Sequence, residues 1–230
     1  ERDAGDQILS VDNLSGSISG EVLFNEIYFN LAKKDKVIIY SKDTRAVSLF
    51  YDIITGASQS YTGKFNWGIT TSQAYLPADH EFFFHDSISL VDWLRKYAKT
   101  EEEKEEVFLR GFLGKMLFSG DEALKKSNVL SGGEKVRCML SKMMMQRANV
   151  LLLNEPTNHL DLESITALNN SLKNFKGTLL CSTSDNTFSQ TLGNRIIELT
   201  PNGVIDRHMG FDEYMTDQKI KELQSKMRIK

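Results

Sequence analysis

A chain of 230 residues with a formal net charge of −3 at pH 7 is long enough to bury a substantial core, as one generous domain or as a domain with a subdomain. Its 28 basic and 31 acidic side chains nearly cancel, so no global basic field recruits nucleic acid, and any such contact has to be local. No run of about eighteen apolar residues is present to span a bilayer, and Cys138 and Cys181 lack metal-ligand spacing and read as small buried hydrophobes in a reducing compartment.

Residues 1–7 are polar, without the apolar core of a signal peptide, and read as the end of a linker. Ile8 to Asn13 alternates weakly, and Val22-Leu23-Phe24 and Ile27 to Leu31 extend a β-rich opening. Val37-Ile38-Ile39-Tyr40 is a short continuous apolar run, the pattern of a buried parallel strand. A polar turn, Ser41 to Arg45, leads into helical spacing over Ala46 to Thr55, which Gly56 ends. Strand, turn and helix in that order form the unit in which a phosphate loop lives. Tyr61 to Thr71 predicts a further strand pair, completing a β-rich first part of the core over 8–86.

Residues 87–128 carry helical periodicity around Leu90 to Leu94 and Val107 to Leu113 and predict a helical subdomain. The charge run Glu101 to Glu106 reads as a solvated helix start. Over 129–212 a helix from Glu134 to Arg147, a strand Val150 to Leu153, a helix Ser164 to Phe175, and strands at Thr178 to Cys181 and Arg195 to Leu199 follow one another. That alternation predicts an α/β core with a mostly parallel sheet. Residues 213–230 read as a charged, helix-prone tail, frayed beyond Asp217.

Two segments carry the chemistry. Leu130-Ser131-Gly132-Gly133-Glu134 places small residues at a helix start, where free N–H groups form an anion site. About twenty residues on, the strand ending at Asn154 runs into Glu155-Pro156-Thr157-Asn158-His159-Leu160-Asp161. At this spacing the two resemble the signature motif, Walker B strand and D-loop of an ATP-binding cassette (ABC) ATPase. The spelling Glu-Pro-Thr-Asn-His-Leu-Asp is most similar to the ABC-F branch. The resemblance runs from Ile8 to Leu199 and is densest from Ser119 to Asp161; Arg110 to Asp121 and Leu162 to Ala167 resemble one bacterial ABC-F subgroup. It implies an α/β fold with a RecA-like P-loop core, an antiparallel β subdomain and a helical subdomain.

A phosphate loop needs glycines where its backbone wraps the phosphates, a Lys to reach between them, and a Ser or Thr for Mg²⁺. The slot here reads Ser41-Lys42-Asp43-Thr44-Arg45-Ala46-Val47-Ser48. Ser41 and Ala46 stand at the glycine positions and Val47 at the Lys position; only Ser48 matches. The Walker B strand ends in Asn154 rather than Asp, which keeps a carbonyl oxygen but no charge for the metal. Ser48 and Asn154 are therefore weak Mg²⁺ candidates. Glu155 is the candidate general base, or alternatively only a strand-end turn residue. The resemblance further places a γ-phosphate-sensing His at Ser184, an adenine-stacking aromatic at Ile18 and a metal-sensing Gln at Ala78.

The signature, by contrast, is complete. In the family it closes over a nucleotide held by a partner cassette, and Asp161 reaches across the same interface. The resemblance thus implies a second cassette of a longer two-cassette chain, binding ATP and Mg²⁺ weakly or not at all in its own site. Its Ser131, Gly133 and Asp161 would complete the ATP site of the other cassette. The setting implied is cytoplasmic and without a membrane partner, as a ribosome-associated translation or antibiotic-protection factor. Two alternatives stay open: the nucleotide-binding subunit of a membrane ABC transporter, and a non-catalytic interaction module.

Overall fold

A computed structural model describes residues 5–229; the first four residues of the expected linker end lie outside them. Strands β1 (Gln7–Ile18), β2 (Glu21–Ala32) and β4 (Tyr61–Trp67) form an antiparallel sheet in the order β2-β1-β4. β1 and β2 are longer than their alternation predicts. The pairing slips between Val11 and Leu14, where Asn13 has φ 51°, and Glu26 in β2 has φ 48°. Each irregularity breaks the period of two and hides the continuation of the strand.

The second sheet has six strands in the order β5-β6-β7-β3-β8-β9. These are β3 (Lys36–Tyr40), β5 (Gln73–Leu76), β6 (Val150–Asn154), β7 (Thr178–Ser182), β8 (Arg195–Thr200) and β9 (Gly203–Arg207). All neighbours are parallel except β8 and β9. The strand pair expected over Tyr61 to Thr71 is not formed. β4 joins β1, the chain turns at Gly68, and β5 becomes an edge of the parallel sheet instead.

The parallel sheet separates two apolar cores, which is why its strands read as continuous apolar runs. Val37 and Ile39 pack toward the antiparallel sheet and helix α1 (Thr44–Ile54), whereas Ile38 faces the helices on the other side. α1 starts two residues earlier than its apolar spacing indicates, because Asp43 caps it, and Gly56 (φ +81°) follows its end as expected.

The helical part contains α2 (Leu90–Arg95), α3 (Glu101–Lys104) and α4 (Glu106–Lys115). Trp93 is its anchor: fully buried, stacked on Phe84 at 4.9 Å between ring centroids, with Nε1 donating to the Phe83 carbonyl at 2.7 Å. α3 has no buried residue, in keeping with a solvated charge run. Helices α5 (Gly132–Met145), α6 (Leu162–Asn174) and α7 (Asn186–Leu192) complete the α/β alternation. Cys138 and Cys181 are unpaired and buried, and burial pushes both thiols well above the ordinary range.

The C-terminal segment is not frayed. Helices α8 (Phe211–Thr216) and α9 (Gln218–Met227) dock beside β8. Their anchor is Glu198, fully buried, which accepts from Tyr214 Oη (2.5 Å), Gln224 Nε2 (2.8 Å) and Arg228 Nε (2.7 Å). A sequence window over the tail sees its charges but not this partner on a distant strand. Among the described residues no helix is long and apolar enough to cross a membrane.

Candidate functional site

Because β6, β7 and β3 are adjacent and parallel, their C-terminal ends bring three loops together. A cleft of about 430 Å³ opens there, and Thr44, Val47, Ser48, Ala78, Asn154, Glu155 and Ser184 all line it. Positions scattered over 140 residues of sequence thus meet at one cleft. Ile18 does not join them. It lies at the end of β1, 40% exposed, and lines neither this cleft nor the neighbouring one beside Lys42 and Arg45.

The phosphate-loop slot is short and self-satisfied. Only residues 41–43 separate β3 from α1. Asp43 Oδ1 accepts from the Arg45 backbone N–H at 3.1 Å. The Arg45 guanidinium then grips both Asp43 oxygens, Nε at 3.0 Å and Nη2 at 2.6 Å, and Nη1 donates to Glu21 at 2.9 Å. A helix N-terminus stabilises an anion; here the chain's own carboxylate is that anion. Ser41 Oγ donates to the Leu199 carbonyl at 2.9 Å, tying the loop to β8. Ala46 and Val47 are buried in the core, so an apolar side chain fills the Lys position.

The two Mg²⁺ candidates of the sequence are likewise closed on each other. Asn154 Nδ2 donates to Ser48 Oγ at 3.1 Å, and Asn154 Oδ1 accepts from Ser182 Oγ at 2.9 Å. Burial, reinforced by the charge of Asp52 and opposed by the nearby Asn154, raises the phenol of Tyr75 above the ordinary range. Mg²⁺ demands oxygen ligands in octahedral array, but the amide turns a donor toward Ser48 and its one carbonyl oxygen is engaged. This donor set does not suit Mg²⁺.

Glu155 follows the strand in a left-handed conformation, φ 52°, with its N–H on the Ser182 carbonyl at 2.8 Å. Its Oε2 accepts from both the backbone N–H (3.0 Å) and the hydroxyl (3.1 Å) of Ser184. The residue at the His position therefore binds the carboxylate of the candidate base and anchors it to the next loop.

The signature edge is built differently. Ser131 is exposed and caps α5. Its Oγ accepts from Glu134 N–H at 3.3 Å and its own N–H donates to Glu134 Oε2 at 2.9 Å, a reciprocal capping box. Burial of Glu134 opposes ionisation, but hydrogen bonds from Lys125 and Ser131 outweigh it and hold the carboxyl below its usual range. The two glycines face the D-loop: a Cβ on Gly132 would meet the His159 ring at 3.1 Å, and one on Gly133 the His159 carbonyl oxygen at 2.5 Å. Asp161 caps α6, accepting from the Ser164 N–H at 2.8 Å, and Ser164 holds its carboxyl below the usual range.

Sequence reasoning missed Ser182 and Tyr75, and it missed the contact of His159 with the signature glycines. Ser182 pairs in register with Asn154, so extending the predicted strand by one residue finds it. Tyr75 carries no local signal, and the motif that contains His159 gives no sign of its packing on Gly132 and Gly133.

A family model described as ABC transporter matches residues 47–158, which contain Ser48, the signature, Asn154 and Glu155. The chain is an ABC-type ATP-binding cassette domain. The "Uncharacterized ABC transporter ATP-binding protein YkpA" of Bacillus subtilis (strain 168) is 50% identical to this cassette over 223 residues, 96% of the chain and 41% of the relative. The "Energy-dependent translational throttle protein EttA" of Escherichia coli (strain K12) is 30% identical over 221 residues, 91% of the chain and 38% of the relative. The cassette thus spans about two fifths of the curated relatives it matches. Its fold is also that of a dimeric bacterial ABC transporter cassette, with TM-score 0.74 at 17% identity over 88% of this chain and 99% of that one. A bacterial Atm1-family ABC exporter with ATP bound gives TM-score 0.79 at 11% identity, covering 99% of this chain and 43% of the other.

Proposed function

We propose that this cassette belongs to a two-cassette ABC-F protein and serves mainly to complete the ATP site of its partner cassette, not to hydrolyse ATP in its own. The observation that carries this is the contrast at the two helix starts. At α1 the anion position is taken by Asp43 under Arg45, and Val47 and the Asn154–Ser48 pair replace the phosphate and metal ligands. At α5 the signature is complete and Ser131 is exposed. The relationship to the translational throttle protein supports a ribosome-associated translation role.

Within one chain, tethering supplies a high effective concentration for closure of the two cassettes. Ser131 and the α5 N–H groups would meet the γ-phosphate of a nucleotide bound to the partner, and Asp161 would lie on the same face. Any base catalysis at this domain's own cleft would fall to Glu155, which Ser184 already holds.

The test is ATP turnover by the full-length protein. Ser131→Arg lowers it about 10²-fold or more, the scale of losing an essential transition-state donor, while Ser48→Ala leaves it essentially unchanged. Equal damage from both changes overturns the reading. A thermal shift on the isolated cassette checks the cleft itself: a ligand at 100 times its Kd adds about 2.7 kcal/mol, and Mg·ATP is expected to add nothing measurable. The name of the Bacillus relative favours a second reading, a transporter ATP-binding subunit. Co-sedimentation of the full-length protein with ribosomes separates the two, since a transporter subunit stays in the supernatant.

A further inference from the structure

We infer that the face of this cassette remote from the nucleotide cleft is a docking groove for an acidic amphipathic helix. A half-open cleft of about 380 Å³ lies between the C-terminal half of α5 and α6, closed at one end by α4. Its floor is Leu151 and Leu153 of β6, and Met143, Met144, Leu172 and Phe175 stand along its walls. Leu151 and the α5 and α6 C-termini belong to the entry end of the parallel sheet, opposite the loops that carry Asn154, Glu155 and Ser184.

Three features fix the occupant. First, the lining is apolar and rich in methionine: Met144 is half-buried at the cleft, and Met116 and Met143, buried in the core, also line it. Unbranched thioether side chains adapt to varied apolar partners, and such surfaces accept amphipathic helices. Second, the charge around it has one sign. Lys115, Arg147 and Lys176 stand at the lining and no Asp or Glu does. All three are exposed, and none has an ion pair among the described residues; Lys115 rests 4.6 Å over the Phe112 ring. Complementary charge steers a partner and fixes its register, so the flanks of the occupant are acidic. Third, two helices and a strand floor wall the groove, the setting in which a helix lays an apolar face of i, i+3, i+4 and i+7 anchors.

This assignment is independent of the nucleotide site. It uses none of the residues at either helix start, and the run Lys142-Met143-Met144-Met145-Gln146-Arg147 is otherwise only the end of the signature helix.

The probe is a pair of synthetic peptides of about 14 residues, four helical turns. Both carry Leu and Phe at the anchor positions; one has Glu and the other Lys on the flanks. Binding to the 230-residue chain is followed through ¹³C-labelled methionine methyl groups. The Glu-flanked peptide is expected to shift Met116, Met143 and Met144 and to bind about tenfold or more tighter than its Lys-flanked twin, equivalent to three rim contacts of modest strength. The triple change Lys115→Glu, Arg147→Glu and Lys176→Glu inverts that preference. Should the triple variant fold poorly, Lys176→Glu alone narrows the preference by a few-fold. Equal binding of both peptides overturns the proposal, as do shifts confined to other methionines. Decanoate filling the cleft while neither peptide perturbs it also overturns the proposal, in favour of a small amphipathic anion.

Discussion

The starts of α1 and α5 follow the same local rule and end with opposite chemistry. Each helix begins after a strand or extended segment, and each has a short polar N-cap, Asp43 and Ser131. At α1 the cap is a full negative charge, clamped by Arg45 and tied across to Glu21. At α5 the cap is a hydroxyl, its glycines press on the D-loop, and the carboxylate of Glu134 is turned back onto the Ser131 N–H and Lys125. Both helix ends thus carry a paired carboxylate: at α1 it is the cap itself, whereas at α5 it is turned back from an edge made by the exposed Ser131 hydroxyl and two glycines. Helix geometry alone does not make a phosphate site; the side chain at the cap and its counter-ion decide whether an external anion has a place.

The largest stability effect is expected beside the α1 cleft. Arg228→Ala leaves Glu198 buried with its charge uncompensated, and breaking a buried pair costs about 3 kcal/mol. Chemical denaturation measures it, and a cost near zero means α9 does not hold the β8 end against the loop. At the signature edge, Gly133→Ala forces a Cβ onto the His159 carbonyl oxygen. Backbone cannot yield as a side chain does, so the cost is about 2 kcal/mol, in the overpacking range. The matching change Ala46→Gly at the α1 slot restores the family's glycine and costs about 1 kcal/mol by helix propensity. Inversion of that order would erase the distinction between the two ends.

Asn154→Ala strips a partner from Ser48 and from Ser182 together. Orphaning buried polar groups costs about 1–3 kcal/mol, and the hydroxyls of Ser48 and Ser182 then exchange partners with water. A neutral result in denaturant titration would show that this network is not what closes the metal position. The smallest effect is a pH dependence to which the signature edge contributes. Asp161 and Glu134 have carboxyls held below the ordinary range. The unfolded chain therefore binds more protons in that window, and stability rises with pH there. Their contribution is complete above the ordinary carboxylate range and is lost as pH falls through the depressed values. Asp161→Asn should flatten this acid limb of Tm against pH, while Ser184→Ala at the other cleft should leave its shape intact.

Much of the fold was legible because its strongest signals are local. Val37 to Tyr40 and Val150 to Leu153 are apolar runs bounded by polar turns, and they sit side by side with Thr178 to Ser182 in the parallel sheet. The signature segment declared its helix start through Ser131 and the glycines, and the structure adds a capping box between Ser131 and Glu134. Where the reading slipped, the cause lay across the chain. β4 reads locally as half of a pair but is the third strand of the antiparallel sheet, and the tail reads as frayed because Glu198 stands 16 residues before Tyr214 and 30 before Arg228. Ile18 matched a position in a pattern, yet it lines neither cleft flanking the loop.

The sequence by itself determined which letters depart from the cassette pattern, since Val47, Asn154 and Ser184 are legible at their places without any coordinates. It also determined that the signature is whole. Only the tertiary structure decided what those departures do to one another. A strand register brings Ser182 to Asn154, a helix start two residues early makes Asp43 the cap, and a loop after β7 lays Ser184 against Glu155. Pairwise contacts between distant segments leave no periodic trace, because hydrogen bonds are satisfied in space and not along the chain. The cationic, methionine-lined groove on the opposite face belongs to the same class: its three positive residues come from three helix ends that only the fold gathers.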